Sequence, residues 1–271
     1  MNPIHRITRR ALAGVLLAFA VTHAALAGEI KVVTSGAFTE AYKKLVPIYE
    51  AATGHKVISA FGASIGKAPD SIPSRLERGE QFDLVILSEG GLEALMQNGK
   101  LVQGSRVDIV RSQIGAAVRK GMPKPDISTV EALKQTLLNA KSVAYSASAS
   151  GTYLSTELFP KLGVQEQLAV TGKKIFSERV GAVVARGDAE LGFQQVSELI
   201  YFKELDFIGT LPDEVQQTIF FSAALVGGSR QTDLARHLLS FLTSPAVADI
   251  VKATGLDPVN PREAKAATKA P

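Results

Sequence analysis

The 271-residue chain contains no cysteine. It therefore has no disulfides and no metal site built on thiolates. Histidine is nearly as scarce, with four in all and only His55 and His237 beyond residue 27. That is too little imidazole for a histidine-rich metal site, so neither metal nor cofactor is expected. No basic face stands out, which argues against a nucleic-acid partner. The apolar run Ala11–Ala20 is too short to anchor a chain across a bilayer. Internal repeats are missing, and so is a helix-turn-helix pattern that would suggest a regulator.

The first segment has the marks of a leader. Arg6, Arg9 and Arg10 precede the apolar run, and Ala25-Leu26-Ala27 forms a small-x-small cleavage site before Gly28. An exported, soluble periplasmic protein beginning at Gly28 is expected, with Met1–Ala27 removed. The cut takes three arginines and no acid, leaving 27 basic against 26 acidic residues and a formal charge of +1 rather than +4. No cysteine follows the cut, so lipid attachment there is excluded.

The remainder alternates strand and helix patterns. Ile30–Val33, Val57–Phe61, Phe82–Leu87, Ile114–Val118, Val143–Tyr145, Ala189–Phe193, Phe207–Ile208 and Ile219–Val226 read as strands. Phe38–Ala52 is helical by its 3–4 spacing, with Pro47 predicting a kink or a late start. Further helices are predicted over Ser74–Arg78, Leu92–Asn98, Val180–Ala185, Leu234–Leu242 and Ala246–Ala253. Another runs from the capping box Ser128-Thr129-Val130-Glu131 to about Ala140. Apolar strands separated by helices predict an α/β fold with mixed or mostly parallel sheets covered by helices. Asp257–Pro271 has too little apolar content to pack and reads as a tail, flexible from residue 258.

The stretch Ser142–Phe159 organises the functional argument. A short strand runs through Ser146, Ser148, Ser150, Gly151 and Thr152 into a helix. Such a turn exposes free backbone N–H groups and the positive end of the helix dipole, which together can hold an anion. A plain N-cap is the competing reading of any one such turn. The chain repeats the arrangement at Thr34–Thr39 and Gly62–Gly66, again at carboxyl ends of strands, where open α/β sheets bind ligands.

Several segments carry a family resemblance: I-K-V-V-T-S-G-A-F-T-E-A-Y, G-H-K-V-I-S-A-F-G-A-S, L-E-R-G-E-Q-F-D-L-V-I-L-S, S-A-S-G-T-Y-L and R-V-G-A-V-V-A-R-G-D-A-E-L-G-F-Q-Q-V-S-E-L. Over roughly Gly28–Leu256 the chain resembles the periplasmic solute-binding proteins of ABC transporters, in particular the molybdate-binding-like group. The resemblance implies a bilobed, type II fold with two hinge crossings and a ligand cleft. Lobe one would comprise residues 28–112 and 202–257, and lobe two residues 113–201. It implies a monomeric receptor, not an enzyme, that closes on a small anion and delivers it to an inner-membrane ABC permease. Ligand contacts would fall to Ser35, Gly36, Ala37, Ser64, Ser150, Gly151, Val180 and Gln195. Two positions depart from the family's pattern, with Ala37 where it has serine and Gln195 where it has tyrosine. A longer Gly66–Pro73 connection also brings in Lys67. A molybdate- or tungstate-type oxyanion stands first, with a small di- or tricarboxylate as alternative, for which Lys67 or Arg75 would supply a cation. Arg179 reads as a helix cap or a surface ion pair.

A remote alternative is a serine hydrolase. Gly62-Ala63-Ser64-Ile65-Gly66 fits G-x-S-x-G after a strand, and His237 lies downstream. Ser64 is followed by glycine and two prolines rather than by the helix a nucleophile elbow requires.

Overall fold

The structure, a computed structural model, describes residues 27–259. The expected leader up to residue 26 lies outside the described residues, as does the expected tail beyond Val259. Among the described residues no helix is long and apolar enough to cross a membrane.

Strand β1 (Glu29–Ser35) runs through a 3-10 turn (Gly36–Phe38) into helix α1 (Thr39–Thr53). The helix buries Ala41, Tyr42, Leu45, Val46 and Tyr49 on one stripe and ends at Gly54, whose φ of 72° is left-handed. It continues through Pro47 instead of starting after it. Pro47 is on the exposed face, so the carbonyl of Lys43 that it deprives of a partner can bond water, while its buried neighbours hold the helix to the core.

Next come β2 (Lys56–Gly62), α2 (Ile72–Glu77), the wholly buried β3 (Leu84–Ser88), α3 (Glu89–Gln97) and β4 (Val107–Ser112). With β10 (Ile219–Leu225) and β11 (Asp257–Pro258), these strands form a six-stranded sheet ordered β11-β4-β10-β3-β1-β2. The pairs of β1 with β2 and β3 are parallel, and those of β10 with β3 and β4 antiparallel.

The second sheet has five strands in the order β7-β6-β8-β5-β9. They are β5 (Ile114–Arg119), β6 (Val143–Ser146), β7 (Gly172–Ile175), β8 (Leu191–Gln195) and β9 (Leu205–Thr210). Its helices are α4 (Val130–Asn139), capped by Thr129 accepting from the Ala132 amide, then α5 (Ala149–Tyr153) and α6 (Phe159–Leu162), joined by a π turn at Leu154–Leu158. They continue with α7 (Gln165–Thr171), α8 (Val180–Arg186) and α9 (Val196–Leu199). Helices α10 (Thr232–Leu242) and α11 (Ala248–Lys252) follow β10.

The fold is the two-lobed α/β architecture expected, with two corrections of boundary. The outgoing crossing lies at Gln113, the single residue between β4 and β5. The return crossing is later than residue 202, because β9 pairs along β5, from Arg119↔Leu205 to Gly115↔Thr210. The chain therefore returns between Thr210 and Ile219. There Gln216 clamps the outgoing strand, accepting from the Ile114 amide at 2.9 Å and donating to the Ile114 carbonyl at 2.8 Å. The C-terminal segment is also longer than expected: Asp257–Pro258 adds to the edge of β4, and the Val259 amide bonds the Ile109 carbonyl.

Candidate functional site

The carboxyl ends of β1, β2, β6, β7 and β8 converge on a cleft between the sheets, with a cavity of about 390 Å³. That falls in the size range of small-molecule sites and is roomy for a five-atom oxyanion.

The first-lobe wall is made of small residues at the strand ends, with Thr39, Lys43, Phe61, Asp70 and Phe221 beside them. Gly36 and Ala37 follow β1, and Gly62, Ala63 and Ser64 follow β2. The Ser64 hydroxyl is buried and accepts from the Ser88 amide at 3.0 Å, which leaves its own proton to donate. Ser35 is buried behind this wall, with no hydrogen-bond partner for its hydroxyl among the described residues. Thr39 donates to the Ser35 carbonyl at 3.1 Å and closes the first turn.

The second-lobe wall is more polar. Ser146 ends β6 and Ser148 and Ser150 follow it, with the Ser146 and Ser150 hydroxyls 3.2 Å apart. Gln194 and Gln195 end β8, where both are buried. The Val180 amide donates to Oε1 of Gln194 at 3.0 Å, which fixes that side chain's orientation and turns its Nε2 to Oε1 of Glu198 at 2.9 Å. Gln195 differs from its neighbour: its Oε1 and Nε2 are buried and neither has a partner among the described residues.

Glu198 sits on α9, where burial pushes its carboxyl up to about 7, against the counter-pull of the Arg179 charge. Its carboxyl lies so close to the Cα of Gly36 that any β-carbon there would collide with it. Gly36 therefore serves close approach between the lobes rather than an unusual backbone angle. Arg179 spans the cleft, with both terminal nitrogens 3.1 Å from Oε1 of Glu40 on α1. Lys43 approaches the same oxygen at 3.4 Å.

The structure brings Gly36, Ala37, Ser64, Ser150 and Gln195 to the cleft wall, with Ser35, Gly151 and Val180 behind it. The Val180 amide is engaged by Gln194, and Gly151 is needed where the start of α5 presses on the Ser146 backbone. The cations expected from Lys67 and Arg75 are elsewhere. Lys67 is exposed outside the cleft, and Arg75 pairs with Glu80 at 2.7 Å. Arg179, read from sequence as a cap or surface pair, supplies the cleft's guanidinium instead. The hydrolase alternative fails on geometry. Bends follow Ser64 until α2 begins at Ile72, and His237 bonds the Tyr49 hydroxyl at 3.0 Å, outside the cleft lining. Sequence reasoning missed Glu198 and Lys43. The only available signal for Glu198 was its place four residues after Gln194 in the segment Q-Q-V-S-E-L.

Comparisons with known proteins bear on this cleft. The model of the bacterial extracellular solute-binding protein family matches residues 30–257. An aconitate isomerase from Pseudomonas sp is 44% identical over 230 residues, covering 85% of this chain and 88% of that protein. A molybdate-binding protein from Azotobacter vinelandii is 27% identical over 240 residues, covering 86% of this chain and 91% of its own. The solved periplasmic molybdate-binding protein of Azotobacter vinelandii superposes with a TM-score of 0.67 at 21% identity, covering 84% and 98% of the two chains, a likeness of fold alone. The family resemblance is thus upheld. The expectation that the chain is not an enzyme is overturned by the 44% identical relative, which is named for an enzyme activity.

Proposed function

The chain belongs to the bacterial extracellular solute-binding protein family, and from that premise we propose that its cleft binds aconitate and interconverts its cis and trans isomers. The observation that carries this reading is the Gln195 amide, buried at the cleft wall with both ends unpartnered among the described residues. It stands in one cleft with the guanidinium of Arg179 and the carboxyl of Glu198. A tetrahedral oxyanion calls for a compact ring of neutral donors, and Ala37 contributes no side-chain donor to one. A tricarboxylate is larger, accepts amide donors, and suits the planar fork of an arginine. The aconitate isomerase relative supports the same choice, and the order of the two ligand classes is accordingly reversed.

Aconitate carries a methylene and a double bond on one three-carbon stretch. Moving a proton from the methylene to the far carbon shifts the double bond and leaves the constitution unchanged. The former single bond becomes the double bond, so the conformer held by the cleft sets the configuration of the product. The step needs a group that accepts and returns a proton, and donors that stabilise the charge spread over the carboxylates between the two transfers. In this reading the protein works in the periplasm, beginning at Gly28. Supplying the purified protein with cis- and trans-aconitate separately, and following each by chromatography, should lead both to the same mixture. Failure to convert either isomer would remove the isomerase reading.

A second reading is favoured by the two-crossing architecture and the molybdate-binding relative. Here the protein is a receptor whose ligand bridges the lobes, stabilises the closed form by its differential contacts, and passes to an inner-membrane ABC permease. A ligand at a hundred times its Kd stabilises a fold by about 2.7 kcal/mol. Melting curves with molybdate, tungstate, sulfate, citrate, aconitate and succinate separate the readings. A shift with the metal oxyanions and none with the carboxylates would favour the oxyanion receptor.

A further inference from the structure

Deepening the isomerase reading and resting on it, we propose that Glu198 is the catalytic acid–base that carries the proton between the two substrate carbons.

Geometry is the first argument. Glu198 lines the cleft, yet its carboxyl is held rather than free. The Val180 amide orients Gln194, and Gln194 then donates to Oε1 of Glu198. The same oxygen, Oε1, lies against the backbone of Gly36, where no β-carbon interferes. Two walls from different lobes therefore fix one carboxyl group. With Oε1 committed as an acceptor, Oε2 is the oxygen left to hold a mobile proton. Among the described residues it makes no hydrogen bond to protein, and it is not one of the fully enclosed polar atoms.

The second argument is selection among the cleft's groups. Its ionisable side chains are Lys43, Asp70, Glu178, Arg179 and Glu198, and no histidine is present. Asp70 is exposed, and Arg179 holds Glu40. Glu178 is bound to Arg186 at 2.8 Å, which keeps its carboxyl below the usual range. Lys43 shares Glu40 with Arg179. Glu198 alone is buried, without an ion-pair partner among the described residues, and poised near neutrality, where a base can both take a proton and give it back.

The step balances. The Glu198 carboxylate takes a methylene proton as the C–H bond breaks, and the electron pair delocalises over the three-carbon stretch and its carboxylates. The same carboxyl, whose proton can exchange with solvent at Oε2 between the two transfers, then gives a proton to the far carbon, forming a C–H bond and relocating the double bond. Nothing is oxidised or reduced, and Glu198 ends as it began. Arg179 and the Gln195 amide lie where they can stabilise the intermediate charge.

The test uses the full mature protein, cis- and trans-aconitate, and proton NMR in deuterated water. Wild type should isomerise aconitate and wash solvent deuterium into the methylene. Glu198→Gln keeps the shape and the bond to Gln194. It should lower both isomerisation and exchange by about a hundredfold or more, the usual contribution of a general acid–base, while binding trans-aconitate within about threefold of wild type. Glu198→Asp, which keeps the acid but withdraws it by one methylene, should fall between them and serves if the glutamine variant does not fold. Isomerisation by Glu198→Gln within a few fold of wild type would overturn the assignment. So would loss of isomerisation with methylene exchange retained, or a Glu198→Asp variant as fast as wild type. An inert wild type would instead fail the isomerase reading itself, a distinct result.

Discussion

The two walls of the cleft are made from the same kind of part, a strand end entering a turn, yet they differ in chemistry. The first-lobe wall follows β1 and β2 with Gly36, Ala37, Gly62, Ala63 and Ser64, small residues that let backbone approach a ligand. The second-lobe wall follows β6, β7 and β8 with serines and then Arg179, Gln194, Gln195 and Glu198. The difference assigns separate tasks. The first lobe offers shape and backbone amides, and the second carries the groups that can discriminate a carboxylate and exchange a proton. Substitutions on the second wall should accordingly have the larger effects.

The largest expected effect is electrostatic. Burial holds the Glu198 carboxyl at about 7, against 4.5 as its ordinary value. Between those values the folded protein retains a proton that the unfolded chain has released. The stabilisation is present below about 4.5 and is lost as pH rises through about 7. The gap corresponds to on the order of 3 kcal/mol. Glu198→Gln, permanently neutral, should melt several degrees above wild type at pH 8 and level with it at pH 4. Equal melting temperatures at both would show that the carboxyl is better solvated than its position implies.

Next in size is Arg179. Replacing it with methionine removes the guanidinium and should weaken aconitate binding by about thirtyfold, or on the order of 2 kcal/mol. Glu40→Gln is the informative partner, because Glu40 is what Arg179 holds at present. Freed from that carboxylate, Arg179 should bind a ligand carboxylate more tightly, so the two variants should move calorimetric affinity in opposite directions. A loss of affinity in both would mean that the bridge itself organises the cleft.

This contrast between walls also marks what the sequence could disclose. Alternating strand and helix patterns revealed the α/β class, and the motif-bearing turns led to the first wall and to Ser150. The charged residues of the second wall were less accessible. Arg179 meets Glu40 across 139 positions of chain, a pairing no local pattern records. Glu198 acquires its character from burial against Gly36, and that too is a fact of tertiary contact. Strand β4, V-D-I-V-R-S, mixes charges into its apolar positions, and β7 is the four-residue edge strand G-K-K-I; neither shows a clear period. The return crossing was misplaced because Phe207–Ile208 gives no sign of which sheet it joins; pairing with β5 decides that.

Gln195 should show a smaller effect with an unusual sign. Its amide is buried with both ends unpartnered among the described residues, a cost of about 1–3 kcal/mol to the ligand-free protein. Gln195→Leu relieves that cost, so the variant should be more stable without ligand while binding aconitate roughly tenfold more weakly. Thermal melting and calorimetry on the same samples check both halves. A variant that is less stable and binds normally would remove Gln195 from the ligand's surroundings.

The smallest effects on binding are expected at the two serines, and their stabilities separate the walls most cleanly. Ser150 faces Ser146 across 3.2 Å, and its loss leaves Ser146 with the Ser148 amide at 3.4 Å. Ser150→Ala should therefore cost little stability and weaken binding only a few fold, on the order of 1 kcal/mol. Ser64 is different, because its hydroxyl is the acceptor for the buried Ser88 amide at the end of β3. Alanine there strands that amide, and the ligand-free protein should lose about 1–3 kcal/mol of stability. Its effect on binding should be no larger than that of Ser150→Ala. Denaturant titration of both ligand-free variants distinguishes them: a destabilisation confined to Ser64→Ala supports its structural role in the first wall. Equal stabilities would show that water replaces the lost acceptor and that Ser64 acts on the ligand alone.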